Sequence, residues 1–297
     1  MRIGLVIGLH DADDRGSDPP RWDEISAQVR AGERAGFDIA VFEDALTFAG
    51  RGSWEAMTMV GGLAAVTDTI ELSHSVVNAA TRLASVIAWS AATLDEISGG
   101  RYTLGIGAGN TPEDFEAFAV PVDAKFSRFE ESLAVIRSLL RDGSVDFDGE
   151  FQHAHAKRFA PTGSRAVPIV VAGKGPRVLR MAARYGDGWN WWGYATDPTA
   201  GVAEILDELV RACDEVGRDP ATLRRTLDLY SYDILGTMGD GSHQGVVTGS
   251  PSEMAESILS VAELGIDEVR CDVVTKPGQR VAAAEAMAEV VELVQAG

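Results

Sequence analysis

Cysteine and long apolar runs are both scarce in this 297-residue sequence. The only two cysteines, Cys213 and Cys271, lie far apart without metal-ligand spacing, which excludes a disulfide framework and predicts free thiols in a reducing compartment. No stretch reaches membrane-spanning length, and the apolar start from Met1 to Gly8 is too short for a signal peptide. We therefore predict a cytoplasmic protein without a membrane partner.

Basic residues are also scarce. The sequence has 26 Lys and Arg but 45 Asp and Glu, which gives a formal net charge of −19. The acids are scattered along the chain rather than grouped. A surface of this charge repels phosphate backbones, so we expect no nucleic-acid partner. Any anionic ligand would need a local cradle of backbone amides and cations.

Several catalytic motifs are missing as well. The sequence has no nucleophile elbow with a Ser, His and Asp set, and no phosphate-binding P-loop, so a hydrolase or a kinase is poorly supported. His153 and His155 form a His-x-His pair without a third ligand, and we predict no metal site. Redox chemistry would then fall to a bound organic cofactor.

The stretch from Ile70 to Asn110 organises the chain. A β-rich run (70–77) leads into a helix predicted from about Thr81 to Ile97, and a second apolar run (102–106) opens into a Gly-rich loop. A strand–helix–strand connection of this length demands parallel pairing. Upstream, Ser53 is expected to cap a helix (54–66).

Strands and helices alternate about eight times along the whole sequence, which is the count of a (β/α)8 TIM barrel. We predict one domain, 1–297, of the α/β class, with an insertion near residues 110–165. A doubly wound open sheet is the alternative, and it is weakened because no Gly-x-Gly-x-x-Gly turn follows the first strand.

In such a barrel the ligand lies over the carboxyl ends of the strands. Gly173 to Arg177 follows one strand, and its two glycines permit close approach of a ligand to the backbone. Pro176 suits a first helical turn, whose free N–H groups attract an anion, with Lys174 or Arg177 adding charge. An ordinary strand-to-helix turn is the alternative.

Other strand ends carry further candidates. The glycines of Gly105 to Asn110 also permit close approach, with tight packing as the alternative, and the Asn110 amide can hydrogen-bond a ligand edge. Of the adjacent pair Glu43 and Asp44, one is expected to face the site, and a capping role is the alternative. Trp192 is a candidate wall for a flat aromatic ligand.

Two long segments resemble the bacterial luciferase-like family. One runs from Ala91 through Leu-Asp-Glu-Ile-Ser-Gly-Gly-Arg101 into Leu104 to Gly109, and the other from Gly173 to Asn190. The resemblance covers about residues 2–275. It implies a TIM barrel that binds FMN or coenzyme F420 and acts on a small molecule, usually as a homodimer.

The resemblance also implies site residues. A bulge with a non-prolyl cis peptide, expected at Ser75-Val76, would support the cofactor ring, and the Gly173 turn would hold its tail. Asp44 and Asn110 are the expected catalytic groups closest to the substrate. The expected cofactor contacts are Ser73, His74, Ser75, Val76, Asn78, Gly107, Gly109, Gly173, Lys174, Gly175, Pro176, Arg177 and Trp192. From the residues alone, His74 also fits a strand-end core histidine.

The segment from Ser75 to Arg82 is similar to deazaflavin-dependent methylene-tetrahydromethanopterin reductases, which favours F420 over FMN. Two positions depart from the dehydrogenases of the family, since Ala45 replaces a common His and Asn110 replaces a Glu found in some members. The segment from Glu43 to Leu46 resembles FMN-dependent monooxygenases instead. The alternatives are therefore an FMN monooxygenase served by a separate flavin reductase, a non-catalytic flavin-binding protein, and a phosphosugar barrel without flavin.

Overall fold

The computed structural model describes residues 1–9, 20–48, 51–109, 112–159, 166–193, 197–237, 246–274, 276 and 278–297. In chain order the strands are β1 (Arg2–Ile7), β2 (Ile39–Phe42), β3 (Thr47–Phe48), β4 (Arg51–Gly52), β5 (Glu71–His74), β6 (Val77–Asn78), β7 (Tyr102–Gly107), β8 (Val145–Asp148), β9 (His153–Ala156), β10 (Ile169–Ala172), β11 (Gly188–Gly193), β12 (Arg224–Tyr232) and β13 (Glu268–Val273).

The α-helices alternate with these strands. They are α1 (Trp22–Arg34), α2 (Ala56–Ala64), α3 (Ala84–Ile97), α4 (Pro112–Ala117), α5 (Lys125–Asp142), α6 (Pro176–Tyr185), α7 (Val202–Val216), α8 (Pro251–Leu259), α9 (Arg280–Ala286) and α10 (Ala288–Ala296). Short 3-10 turns lie at Ala79–Thr81, Pro220–Thr222 and Ala262–Leu264.

Eight parallel strands close into a barrel in the order β1-β2-β5-β7-β10-β11-β12-β13, with β13 pairing back onto β1. The predicted (β/α)8 fold is therefore confirmed. Within residues 110–165, α5 lies between α3 and α6 and serves as a barrel helix. The additions to the barrel are α4 and the antiparallel hairpin β8–β9.

The main apolar core lies between the strands and the helices, and both cysteines are buried there as free thiols, as predicted. A small separate cluster of Val6, Ile39 and Val41 fills part of the barrel interior. Other interior positions are charged: Arg270 and Glu268 are both fully buried, with Arg270 Nε 2.8 Å from Glu268 Oε1. Buried ions need partners of opposite charge, which this pair supplies.

Two predictions from the sequence need correction. The run 70–77 is two strands, β5 and β6, because the chain turns at Ser75 and Val76, and α3 begins only at Ala84. Ser53 does not cap α2. That helix begins at Ala56, and the Glu55 carboxylate accepts the Thr58 N–H at 2.7 Å.

β7 runs unusually close to the end of β5. An ideal Cβ on Gly105 would lie 1.8 Å from the His74 carbonyl oxygen, a separation that no side chain tolerates. A residue without a side chain is required here, because the neighbouring atom is backbone and cannot rotate away.

Replacing Gly105 with Ala should therefore destabilise the fold by about 3 kcal/mol or more, since the strand must move away from its neighbour. Gly52→Ala is the matched control, because nothing lies within 4 Å of a Cβ at that strand position. Urea unfolding of the two variants measures the difference, and equal midpoints would contradict the close approach.

Candidate active site

A cavity of about 430 Å³ opens over the carboxyl ends of β2, β5, β6, β7, β10, β11 and β12. Its walls are formed by Glu43, Asp44, Ala45, Ser75, Val76, Asn78, Gly107, Ala108, Gly109, Lys125, Phe126, Ala172, Gly173, Lys174, Val178, Asn190, Trp191, Trp192 and Asp228. Ligands of barrel proteins bind at this end of the strands.

Nine of the predicted site residues line this cavity, namely Asp44, Ser75, Val76, Asn78, Gly107, Gly109, Gly173, Lys174 and Trp192. Ser73, His74, Gly175, Pro176 and Arg177 do not line it. Asn110 lies outside the described residues.

The peptide bond between Ser75 and Val76 is cis, at the position predicted from the sequence. The Ser75 hydroxyl hydrogen-bonds the Asp228 carboxylate, which also accepts Asn190 Nδ2 at 2.9 Å. Val76 then lies beside Gly107, whose ideal Cβ would be 2.7 Å from Val76 Cγ2. Gly107 therefore makes room for Val76, so that the bulge fits against β7.

Ser73 and His74 are fully buried and do not line the cavity, and their contact with the cofactor stays a prediction. His74 Nδ1 lies 2.9 Å from the Tyr102 hydroxyl, and the two rings meet edge to face. Burial lowers the pKa of His74 to about 4, so the imidazole is neutral at neutral pH. His74 is therefore a core histidine, which was the alternative that its position at a strand end suggested.

Asp44 is held in an ion pair beneath the bulge. Its two oxygens lie 2.5 and 2.8 Å from the Arg82 guanidinium, and the Asn78 N–H donates to it at 2.8 Å. Both oxygens are therefore engaged, and Asp44 caps no helix. The carboxylate ties the end of β2 to β6, and its catalytic role stays a prediction.

Glu55 extends this ion pair into α2. Its carboxylate lies 2.5 Å from Arg82 and also caps α2 through Thr58. Burial opposes ionisation of Glu55, but the hydrogen bonds from Thr58 and the charge of Arg82 outweigh it and lower its pKa to about 2. Arg82 thus holds two carboxylates together at one edge of the cavity.

Removing Arg82 should leave the Asp44 carboxylate buried without its counter-charge. Arg82→Ala is therefore expected to lower the free energy of unfolding by about 3 kcal/mol or more. Arg34→Ala removes a solvent-exposed pair with Glu285 and should cost less than about 1 kcal/mol. Chemical denaturation of both variants tests this prediction. Equal losses of unfolding free energy would contradict the stabilisation of Asp44 by Arg82.

The Gly-rich turn contributes only part of what was predicted. Gly173 and Lys174 line the cavity, and α6 begins at Pro176 as expected. Arg177 turns away from the cavity, donating to Ser127 Oγ at 2.9 Å and to Glu130 at 3.3 Å. The Trp189 indole donates to the Gly173 carbonyl at 2.8 Å and fixes the turn against β11.

Lys125 is a cavity residue that sequence reasoning missed. It begins α5, and its ammonium donates to the Gly109 carbonyl at 3.1 Å beside the Phe126 ring. Among the residues that the structure describes, neither Lys125 nor Lys174 lies within 4 Å of a carboxylate. Both lysines line the cavity, where a bound anion would meet their charge.

Glu43 is a second cavity residue that was not predicted from the sequence, because Asp44 was favoured as the catalytic carboxylate. Val41 faces the barrel interior and Phe42 faces outward against His74, so strand alternation turns Glu43 inward. Burial, together with the negative charges of Asp272 and Asp228, raises the pKa of Glu43 to about 8, although Arg280 opposes the shift. Glu43 is thus a protonated acid in the cavity wall at neutral pH.

The pKa of Glu43 has a consequence for stability. Between pH 4.5 and about 8 the unfolded chain has lost the Glu43 proton while the folded chain keeps it, so stability falls as pH rises. Glu43→Gln should gain stability relative to the parent protein across this window, by up to about 1.4 kcal/mol per pH unit.

Thermal melts between pH 4.5 and 9 measure this effect. Glu256→Gln, an exposed change on α8, is the control and should follow the parent protein at every pH. A pH-independent difference between Glu43→Gln and the parent would show that Glu43 ionises normally.

The residues present fit a flat organic cofactor with an anionic tail. The cavity volume of about 430 Å³ is in the range of small-molecule sites, and Val76 and Trp192 supply apolar surface. Trp191, only 8% exposed, has an Nε1 donor without a hydrogen-bond partner among the described residues. Lys125 and Lys174 supply positive charge in the cavity wall.

Other parts of the described chain add no metal or membrane feature. His153 and His155 pair with Asp148 and Asp146 on the exposed hairpin. Within the described ranges, no group of three or more His, Cys, Asp or Glu side chains could hold a metal ion. The helices described there are all too short or too polar to cross a bilayer.

A closed barrel of eight parallel strands with helices between them defines a TIM-barrel protein, and its cavity lies over the carboxyl ends of the strands. The chain belongs to the luciferase-like monooxygenase family, whose model matches residues 1–232. The recognition of this family from two sequence segments is therefore confirmed.

Curated relatives include proteins of two kinds. The 5,10-methylenetetrahydromethanopterin reductase of Archaeoglobus fulgidus is 34% identical over 169 residues, which cover 57% of this chain and 48% of the reductase. The pyrimidine monooxygenase RutA of Escherichia coli is 29% identical over 211 residues, covering 67% of this chain and 55% of RutA. The chain thus matches about half the length of each.

A solved structure shares the whole fold. An F420-dependent secondary alcohol dehydrogenase in complex with an F420-acetone adduct superposes with a TM-score of 0.81 at 18% identity, over 99% of this chain and 98% of that chain. The similarity at this identity concerns the fold.

Proposed function

We propose that this protein is an oxidoreductase that binds coenzyme F420 in the cavity and transfers a hydride between it and a small organic substrate. The observation that carries the proposal is the cavity of about 430 Å³ over the carboxyl ends of the barrel strands, which combines the apolar surface of Val76 and Trp192 with the charges of Lys125 and Lys174. The 34% identity to a 5,10-methylenetetrahydromethanopterin reductase supports F420, because the segment from Ser75 to Arg82 resembles the deazaflavin-dependent reductases of that name.

In this proposal the residues that line different parts of the cavity have different roles. Val76 and Trp192 would contact the two sides of the cofactor ring, and Lys125 and Lys174 would pair with its phosphate-bearing tail near Gly173. The Asp44–Arg82 pair and the Asp228 hydrogen bonds keep the bulge in position. The bound cofactor supplies the hydride chemistry, while the protein orients both partners and excludes water.

An FMN-dependent monooxygenase is the second candidate, and the similarity to RutA favours it. In that case the protein would need reduced flavin from a separate flavin reductase. A protein that holds flavin without turnover is the alternative of another class. A titration with F420 and with FMN separates the F420 oxidoreductase from the FMN monooxygenase. Turnover of a substrate separates both enzymes from a protein that only holds flavin.

A cytoplasmic location and a homodimer remain predictions. The exposed apolar side chains along and just before α3, at Leu83, Val86, Trp89 and Ile97, support self-association. Light scattering of the purified protein measures the oligomeric state directly.

The first test is a parallel fluorescence titration of the purified protein with F420 and with FMN. We expect saturable binding of F420 at micromolar or lower concentration and weaker binding of FMN. Selective binding of FMN would replace the hydride-transfer proposal with the monooxygenase. Binding of neither would refute both.

The same titration tests the two lysines. Lys125→Ala and Lys174→Ala should each weaken F420 binding about tenfold or more, because each removes a charge-assisted contact with an anion. Arg177→Ala should change the dissociation constant little, since Arg177 is engaged with Glu130. Lys157→Ala, exposed on the far side of the hairpin, is the control. Full F420 affinity in both Lys125→Ala and Lys174→Ala would refute the proposal that these lysines bind the cofactor tail.

A further inference from the structure

We propose that a second cavity beside the active site binds the carboxylate of an elongated substrate, whose apolar part reaches into the first cavity. The inference rests on the proposed function, because it names the class of substrate. The second cavity has a volume of about 380 Å³ and shares Ala108 and Lys125 with the first. The two cavities therefore adjoin at these two residues.

The walls of the second cavity include segments that lie outside the barrel strands. They are the turn 79–83, Ala108 just after β7, residues 120–121, one face of the first half of α5 and the turn of the β8–β9 hairpin. The Glu131 carboxylate of α5 accepts the N–H groups of Glu150, Phe151 and Gln152 at 2.9, 2.8 and 2.8 Å. The hairpin turn is thereby fixed against α5, so this addition to the barrel completes a cavity wall.

This cavity is lined by cations in a chain whose formal net charge is −19. Arg82, Lys125 and Arg128 line it, and none of the described residues in its wall is acidic. Arg82 is occupied by Asp44 and Glu55. Lys125 and Arg128 are therefore the cations that remain for a ligand.

The guanidinium of Arg128 can exchange its present partner for a bound anion. Its central carbon lies 4.4 Å from the centre of the Phe151 ring, which places it against the hairpin turn. Its carboxylate partner is Asp123, with Oδ2 at 3.5 Å from Nη2 and a side chain that is 76% exposed. An ion pair so open to solvent is weak, so a carboxylate in the cavity can compete for Arg128.

The rest of the wall defines what the anionic group is attached to. Leu83, Val120, Phe129 and Phe151 give the cavity apolar surface beside the two cations. A carboxylate carries one negative charge, whereas a phosphate carries about two and is repelled more strongly by an acidic protein. The cavity thus fits a carboxylate joined to an apolar body.

The place of the second cavity separates this carboxylate from the cofactor tail. The tail is assigned to the Gly173 turn, which leads into α6, whereas the turn 79–83 leads into α3. α5 lies between α3 and α6, and Lys125 at its start lines both cavities. A cofactor with its tail at Gly173 leaves the second cavity to the substrate.

The first measurement is independent of cofactor and turnover. Isothermal titration calorimetry of the purified protein compares 4-phenylbutanoate with its methyl ester. We expect saturable binding of the acid at millimolar or lower concentration and binding of the ester about tenfold weaker or more, because the ester lacks the charge that Lys125 and Arg128 contact. Equal affinities, or no binding of the acid, would overturn the proposal.

Variants locate the bound carboxylate. Arg128→Ala should weaken binding of 4-phenylbutanoate about tenfold or more, and Arg128→Lys should keep part of the affinity because it keeps the charge. Lys174→Ala, which changes the wall of the first cavity alone, should bind the acid as the parent protein does. Loss of affinity in Lys174→Ala but not in Arg128→Ala would place the carboxylate in the first cavity and overturn the proposal.

The matched control for Arg128 is Arg180 on α6. It forms a similarly exposed pair with Glu215, at 3.3 Å, and lines neither cavity. Arg180→Ala should leave the affinity for 4-phenylbutanoate unchanged. An equal loss in Arg180→Ala would show a general effect of charge rather than a site.

A shorter acid tests whether one ligand spans both cavities. Phe126 lines the first cavity and not the second. Phe126→Ala should weaken 4-phenylbutanoate about threefold or more and leave benzoate unchanged, because only the longer acid reaches the apolar surface of the first cavity. An unchanged affinity for 4-phenylbutanoate would mean that the acid lies wholly in the second cavity, which overturns its assignment to the substrate.

A titration at saturating F420 separates this inference from the proposed function. The acid should bind the F420-loaded protein as well as the free protein. Displacement of the acid by F420 would give the second cavity to the cofactor tail and overturn the substrate assignment. Failure of F420 to bind would refute the proposed function, while the acid, its ester and Arg128→Ala would still decide whether the second cavity binds a carboxylate.

Discussion

The ion pair between Asp44 and Arg82 is the contact on which the shape of the cavity depends. The Asp44 side chain is only 1% exposed, so its charge is sustained by the guanidinium and by the Asn78 N–H. Through these contacts the end of β2, the start of β6 and the cap of α2 are held as one unit. The bulge at Ser75 and Val76 is thereby fixed from one side, and Asp228 and Asn190 fix it from the other.

A second constraint comes from charge inside the barrel. Arg270, Glu268 and Asp228 are buried where apolar side chains would cost nothing to desolvate. The charged interior begins at the cavity and continues toward the opposite end, where Glu268 lies 3.2 Å from Arg2. The apolar cluster of Val6, Ile39 and Val41 occupies another part of the same interior. The base of the cavity is therefore polar, although burial contributes most to the raised pKa of Glu43.

Much of the fold was accessible from sequence because it rests on local patterns. Alternating strands and helices predicted the barrel, and the resemblance located the cis bond between Ser75 and Val76. The site was less accessible, since its contacts join distant segments. Lys125 begins a helix 16 residues beyond the Gly109 carbonyl that it contacts. Arg177 was assigned to the ligand because its neighbour Glu130 could not be placed without the packing of α5 on α6.

The choice between Glu43 and Asp44 shows more clearly what could not be predicted from the sequence. Strand alternation predicted that one of the two carboxylates faces the site, whereas both line the cavity, and it could not say which one Arg82 neutralises. That depends on the path of the chain after the bulge, where α3 begins later than the pattern suggested. Glu43 instead lies near the charges of Asp272, Asp228 and Arg280. Two adjacent carboxylates thus have different electrostatic environments.

The contact between Gly107 and Val76 links two positions under mutation. A Cβ at 107 would lie 2.7 Å from Val76 Cγ2, so a side chain at 107 and a branched side chain at 76 exclude each other. A larger residue at 107 therefore requires Val76 to shift or to become smaller. The effect of a substitution at one of these positions thus depends on the residue at the other.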